Sequence, residues 1–354
     1  MDTFARGWES DRRGRRAAAT GVPAAQRGRT SADEARGSYY GVPVIHRAHW
    51  HWLIILYFFL GGITGACYVI ASIAHLVGPS EDRRLVRAGR YLSFVALLPS
   101  PALLILDLGR PGRFYKMLRV VKLRSPMSVG TWGLTVFGGF SALSALVQAA
   151  EDGILSRGPG ARAVGRWPSK VIGIAGIPWG LFVAGYTGVL LGATAVPLWA
   201  KNALLLGPLF LASAFSTAAS AIGLALSAAQ ATEPATLERL ERLERLTIGA
   251  ELGLLAASRA RLGATAAPVT TGTPGALLRY GTVGLGLLAP LGLHAVTRLT
   301  SEKTGRRLGM LSSVLVLVGG FLLRYVTVVG GHASADDPRA TFDYARQEQS
   351  GTPA

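Results

Sequence analysis

Between residues 48 and 330 the chain returns repeatedly to apolar runs of the length a helix needs to cross a bilayer, ~20 residues. Read as helices, these runs cover 48–77, 86–107, 129–150, 170–196, 203–229, 241–262, 276–299 and 309–330. The composition agrees. Half of the residues are hydrophobic and only 16% are charged, against roughly 25% charged in a soluble domain. The 45 glycines and 18 prolines suit helices that pack closely in lipid. The expected fold is all-α, a polytopic membrane helix bundle with about eight transmembrane helices in the cell membrane. The sixth run is the weakest. Its purely apolar part, 246–258, is short and contains Glu251, and the charged three-residue repeat over 237–245 reads as an interfacial helical lead-in.

The formal charge of +17 does not point to nucleic acid. The basic residues lie in an N-terminal tail and in short loops, where membrane proteins keep them, and there is no basic, aromatic-interleaved face. Residues 1–37 lack apolar periodicity and read as a disordered basic tail. Residues 38–332 form the transmembrane domain, and 333–354 a short C-terminal tail. Loop breakers separate the runs at Gly78-Pro79, Pro111-Gly112, Gly158-Pro159-Gly160, Glu233-Pro234 and Thr273-Pro274-Gly275. The single cysteine, Cys67, lies inside the first run. An iron–sulfur cluster needs about four thiolates, so no metal is expected on this chain. Counting Lys and Arg on the two sides leaves the orientation open once the distant tail arginines are set aside.

An even number of crossings gathers five separate stretches on one side of the membrane. They are His46, His49 and His51 before the first run, and Asp107-Leu108-Gly109-Arg110-Pro111 after the second. Ser125-Pro126-Met127-Ser128 with Trp132 opens the third, Tyr186 through Trp199 closes the fourth, and Arg324 and His332 end the last. Polar side chains near lipid are costly, and a cluster of them at one face marks a site.

These stretches also carry a resemblance. Tyr39-Tyr40-Gly41-Val42-Pro43, Trp50, Tyr57-Phe58-Phe59-Leu60-Gly61-Gly62, the Asp107–Phe114 segment, Ser125-Pro126-Met127-Ser128-Val129-Gly130-Thr131-Trp132, Tyr186-Thr187-Gly188 and Pro197-Leu198-Trp199 resemble the NrfD/polysulfide-reductase family of membrane subunits, in consistent order and spacing. The resemblance implies an eight-helix quinone-reactive subunit that binds no metal itself. It implies exchangeable quinone or menaquinone, and an iron–sulfur (4Fe-4S) electron-transfer partner docked on the face where the termini lie. A molybdopterin-type catalytic subunit would complete such a complex. In this family a histidine early in the first helix and a tyrosine in the fourth flank the quinone. Tyr186 fits the tyrosine, and His49, His51 and His46, in that order, offer the histidine.

The residues allow the same chemistry. A membrane subunit without metal ligands joins redox reactions by holding an organic carrier near a partner's centre. His and Tyr each donate and accept hydrogen bonds at a carbonyl oxygen. The structural alternatives are interfacial anchoring of the histidines beside Trp50 and Trp52, and a packed tyrosine with a backbone partner. Asp107 reads either as an ion pair with Arg110 or Arg113 that fixes the loop, or as a proton exchanger. Arg113, Ser125, Met127, Ser128 and Trp132 form a partner-docking loop region, with Ser125 as a helix cap. Glu251, mid-helix, serves a proton path, pairs with Arg245 or Arg259, or hydrogen-bonds while neutral. Arg324 snorkels or counters a buried acid such as Asp107. His75 and His294 are the only haem-ligand pair to consider, and the resemblance gives haem no support. A passive anchor, or a small-solute transporter without quinone chemistry, is the competing class, but a transporter should show inverted repeats.

Overall fold

A computed structural model describes Ile45 and residues 50–108, 110–155, 159–230, 233–297 and 299–338. The 1–37 tail, His46, His49 and the end of the C-terminal tail lie outside the described residues. Every regular element among those described is helical. Eight long helices follow in order: α1 Trp52–Val77, α2 Ser80–Asp107, α3 Pro126–Glu151, α4 Ser169–Gly192, α5 Ala203–Ala228, α6 Pro234–Leu262, α7 Gly272–Thr297 and α8 Glu302–Ala335. All but α6 are long and apolar enough to cross a membrane. The protein is a multi-pass membrane helix bundle.

Several helix ends fall away from the apolar runs, for local reasons. The third helix starts at Pro126 rather than 129, because Ser125 caps it. The Ser125 hydroxyl accepts the Ser128 N–H at 3.5 Å, and Pro126 at the first position has no N–H to leave unpaired. The fourth stops at Gly192 rather than 196. Val196 precedes Pro197 and is held extended, while Thr194 turns its hydroxyl back onto the Leu191 carbonyl at 2.8 Å. The sixth and eighth begin earlier than expected, at Pro234 and Glu302. The polar residues near their starts stay helical because helix ends that project into water need not be apolar. Pro99 divides α2 into Arg83–Leu97 and Pro99–Asp107. There the Ser100 hydroxyl donates to the Ala96 carbonyl at 3.3 Å.

The helix α1 is the most deeply packed of the spans and touches α2, α4, α5 and α8. It meets α4 backbone to backbone: a Cβ on Gly65 would run into the Gly180 carbonyl and Ala184. Small residues at a crossing let helices approach where lipid offers no hydrophobic drive. Alternation along the chain gives the bundle two ends. The near end carries the start of α1, the end of α2, the start of α3 and the end of α4. The far end is tied by polar groups. Arg90 donates to Gln148 at 2.9 Å and meets His75 Nδ1 at 2.8 Å. Arg239 reaches Asp82 at 2.6 Å, joining α6 to the start of α2.

Candidate functional site

At the near end the helices enclose a cavity of about 420 Å³. Trp50, Ile54, Tyr57 and Phe58 form one wall. Their spacing of four, three and one places them along one face of a helical turn. The second half of α2 supplies Leu104 and Asp107, α3 supplies Met127 and Gly130, and α4 supplies Tyr186 and Leu190. The α2–α3 loop closes over the opening with Phe114, Met117 and Leu118. The lining is almost wholly apolar, with the polar groups of Tyr57, Asp107, Thr131, Thr135 and Tyr186 set into it. Ligand pockets of roughly 300–1,000 Å³ have this character, a greasy slot with a few placed polar atoms.

Tyr186 is fixed from three directions. Its hydroxyl donates to the Pro126 carbonyl at the mouth of α3. Its ring stacks on Phe182, with centroids 4.6 Å apart and planes 26° apart. Gly130 leaves the space the ring occupies, since a Cβ there would sit 2.5 Å from Tyr186 Cε1. Asp107 is not paired with Arg110 or Arg113. Its carboxylate lies 3.5 Å from His51 Nδ1, joining the end of α2 to the residue that precedes α1. Arg110 and Arg113 point outward in the loop, and both are exposed. Their expected ion pair fails because the turn Pro111–Lys116 is a 3₁₀ helix. Three residues per turn stacks Arg110, Arg113 and Lys116 in one outward row.

Of the expected site residues, the structure brings together His51, Asp107, Met127 and Tyr186. His46 and His49 lie outside the described residues. Ser125 and Ser128 support the mouth rather than line it: the Ser128 hydroxyl donates to the Val120 carbonyl at 3.4 Å and accepts the Lys122 N–H at 3.0 Å. Trp132 packs in α3 beside the cavity without entering its lining, its indole N–H buried. Trp50, Tyr57 and the loop's Phe114 were not singled out as site residues, although the stripe of apolar and aromatic residues at 50, 54, 57 and 58 announces the face. Trp50 also stacks on Trp199 at 5.3 Å. Trp199 in turn donates its indole N–H to the Thr327 carbonyl of α8 at 2.9 Å and packs edge-on against His332. The start of α1, the α4–α5 connection and the end of α8 thus meet at the near end.

Glu251 and Arg324 lie elsewhere, and both expected pairings are corrected. Arg324 is fully buried and neither snorkels nor meets Asp107. It donates to Ser213 Oγ at 2.5 Å, to the Gly320 carbonyl at 2.9 Å and to the Phe210 carbonyl at 3.2 Å. Glu251 turns away from Arg245 and Arg259 and accepts from the Ser216 hydroxyl at 3.1 Å. Arg245 pairs with Glu241 at 3.7 Å and Arg259 caps its own helix through the Gly263 carbonyl at 2.7 Å. Arg245, half-buried, and Arg259 are both engaged along their own helix, and the buried face of α6 looks at α5. His75 meets Arg90, and His294 meets Ser312 at 3.1 Å, so the two histidines do not face one another. Among the described residues no three His, Cys, Asp or Glu side chains gather as metal ligands.

Comparison with known proteins fits this architecture. The C subunit of polysulfide reductase from Wolinella succinogenes is 29% identical over 303 residues, a match spanning 80% of this protein and 94% of that subunit. The family described as Polysulphide reductase, NrfD matches residues 44–335, from the approach to α1 to the end of α8. This chain belongs to the NrfD polysulphide reductase family.

Proposed function

We propose that this chain is the quinone-reactive membrane subunit of a multi-subunit oxidoreductase, exchanging electrons between menaquinol in the near-end cavity and an iron–sulfur partner docked above it. The single observation that carries the reading is the cavity itself. It is a mostly apolar slot of about 420 Å³ at one membrane face, with the Tyr186 hydroxyl and the Asp107–His51 pair at its polar edge. A relative designated as one lettered subunit of polysulfide reductase supports membership of a larger assembly. The partner's catalytic subunit is expected to be of the molybdopterin type.

The donor set fits a quinone. Bound in the slot, quinol supplies two electrons and two protons. The Tyr186 hydroxyl donates to a backbone carbonyl at the cavity mouth and can turn that hydrogen bond onto a ring oxygen. Asp107 takes a proton at its carboxylate and hands it to His51, whose side chain is 70% exposed to the aqueous side. The apolar walls from Ile54, Phe58 and Leu104 hold the tail and exclude water. His49 and His46, just ahead of Trp50, are further candidates for the second ring oxygen. The outward row Arg110, Arg113 and Lys116 offers a cationic landing for the partner.

The test is reduction of the partner's clusters by added menaquinol in the purified complex. Tyr186→Phe should slow it by roughly tenfold, the worth of one hydrogen bond of about 1–1.5 kcal/mol, without loss of assembly. Asp107→Asn should lower kcat and leave KM unchanged. Wild-type rates in both variants would overturn the site.

A further inference from the structure

A small cavity of about 70 Å³ lies at the near end between α5, α6, α8 and the 263–271 connection. Its floor is apolar, from Leu206, Leu209, Leu323 and Val326, all buried. Among them sits one amide. Asn202, which precedes the first turn of α5, is only 5% exposed. Its Nδ2 donates to the Ser258 hydroxyl on α6 at 3.2 Å. Its Oδ1 has no hydrogen-bond partner. A buried carbonyl oxygen left unpaired is costly, so the cavity calls for a donor.

The mouth is cationic. Arg259 stands in it, exposed, and gives Nη1 to the Gly263 carbonyl at 2.7 Å, which leaves most of the guanidinium's donors over. Arg261 donates from Nε to the Lys201 carbonyl at 2.7 Å, drawing the end of α6 onto the approach to α5. Arg279 follows near the start of α7. Neither 154–232 nor 252–301 contains an acidic residue, and Asp336 and Asp337 come only after the last turn of α8.

The bundle is also loosest here. Of the spans, α7 is the least buried, and it leans on α8 while touching α6 little. Its Gly286 abuts α8 so closely that a Cβ would lie 2.5 Å from the Gly319 Cα. From Leu277 to Leu288 it is wound as a wide π-helix, a rare form met mostly at functional places. A gap remains between α6 and α7, edged by Leu255 and Leu278, and it opens toward lipid.

We propose that this corner binds one molecule of phosphatidylglycerol. The phosphodiester lies on Arg259, a hydroxyl of the glycerol headgroup donates to Asn202 Oδ1, and an acyl chain runs down the gap over Leu255 and Leu278. Each part of the lipid meets its complement: the anion a guanidinium, the O–H an orphan acceptor, the methylenes leucines. The depth agrees. Asn202 and Ser258 both lie about a turn or less from a helix end, at headgroup level rather than mid-bilayer. Basic pockets between membrane helices take anionic headgroups in the same way. No residue lines both this cavity and the larger near-end one, so the lipid site stands whether or not quinone binds there.

Native mass spectrometry of the purified, delipidated full chain with added lipid tests it. One phosphatidylglycerol should bind roughly tenfold more tightly than phosphatidylmethanol, which keeps the phosphodiester charge but has no hydroxyl. Phosphatidylcholine, with neither net charge nor donor, should bind more weakly still. Equal affinity for phosphatidylglycerol and phosphatidylmethanol would overturn the hydroxyl contact, and equal affinity for all three would overturn the site. Those comparisons need no substitution. Arg259→Gln, at the exposed rim, should weaken both anionic lipids by about fivefold and leave their ratio unchanged. Asn202→Leu should erase the ratio, and a folded Asn202→Leu chain that keeps it sinks the proposal. Excess sn-glycerol 3-phosphate should not displace the bound lipid; displacement would assign the corner to a soluble phosphate ester instead.

Discussion

At the scale of single residues, the site depends on where one ring can lie. Gly130 vacates the volume that the Tyr186 ring fills, so Gly130→Val must push the ring toward the cavity or off its Pro126 partner. The expected outcome is a raised KM for menaquinol with an intact bundle, read by steady-state kinetics beside thermal unfolding. Buried charge obeys a different rule. Arg324 bonds the Ser213 hydroxyl and the Gly320 and Phe210 carbonyls deep in the bundle, and leaving such buried partners unpaired costs about 1–3 kcal/mol. Arg324→Met should therefore lower Tm, and adding Glu251→Gln should recover part of the loss, because the carboxylate that the Arg324 charge steadies is then gone. A double variant no more stable than Arg324→Met would show that the two groups are energetically independent. Tyr186 was expected at the site through the family resemblance and Asp107 as the close of an apolar run, and both line the near-end cavity. The partners of Glu251 and Arg324 could not. Apolar periodicity shows which residues are inside a bundle but not which face of one helix is turned to which neighbour.

At the scale of elements, α6 and the α2–α3 loop are the instructive cases. The sequence of α6 looks half interfacial, yet the helix is continuous from Pro234 to Leu262 because its buried acids meet the α5 serines rather than lipid. Its charged repeat sorts by face. Glu244 turns inward, while Glu241 and Arg245 pair beside it and Glu238 stands at the cavity mouth. The loop region was expected to dock a partner, which stays a proposal, and its place as the roof of a cavity was not legible. A 3₁₀ turn aligns Arg110, Arg113 and Lys116 on one side and so frees Phe114 and Met117 to face inward. Charge reversal on the outer row, Arg110→Glu with Arg113→Glu, is expected to release the iron–sulfur partner at moderate salt and leave the isolated bundle's Tm unchanged. Co-purification across a salt series reads this directly, and unaltered retention of the partner would remove the loop from the docking surface.

At the scale of the whole molecule, everything turns on the parity of the crossings. Seven helices are apolar enough to span on composition alone, and an odd count would put the start of α1 and the end of α8 in different compartments. The packing argues for eight. The start of α1 reaches the end of α2 through His51 and Asp107, and it stacks on Trp199, which is bonded to α8. Those contacts need α8 to finish where α1 begins. They hold only if α6 crosses as well, returning the backbone from the far end, where Glu244 meets His294, to the near end, where Arg261 donates to the Lys201 carbonyl at 2.7 Å. Single cysteines at Ser125, Gly263 and Asp336 should accordingly be modified by an impermeant thiol reagent from one side of sealed vesicles, and those at Gly153 and Gln230 from the other. Gly263 is the decisive position, because it follows the one helix whose charges would otherwise argue against a crossing. A Gly263→Cys thiol reacting together with Gln230→Cys would place both ends of α6 on the same face. Both ends of α6 on one face would leave seven crossings and part the start of α1 from the end of α8.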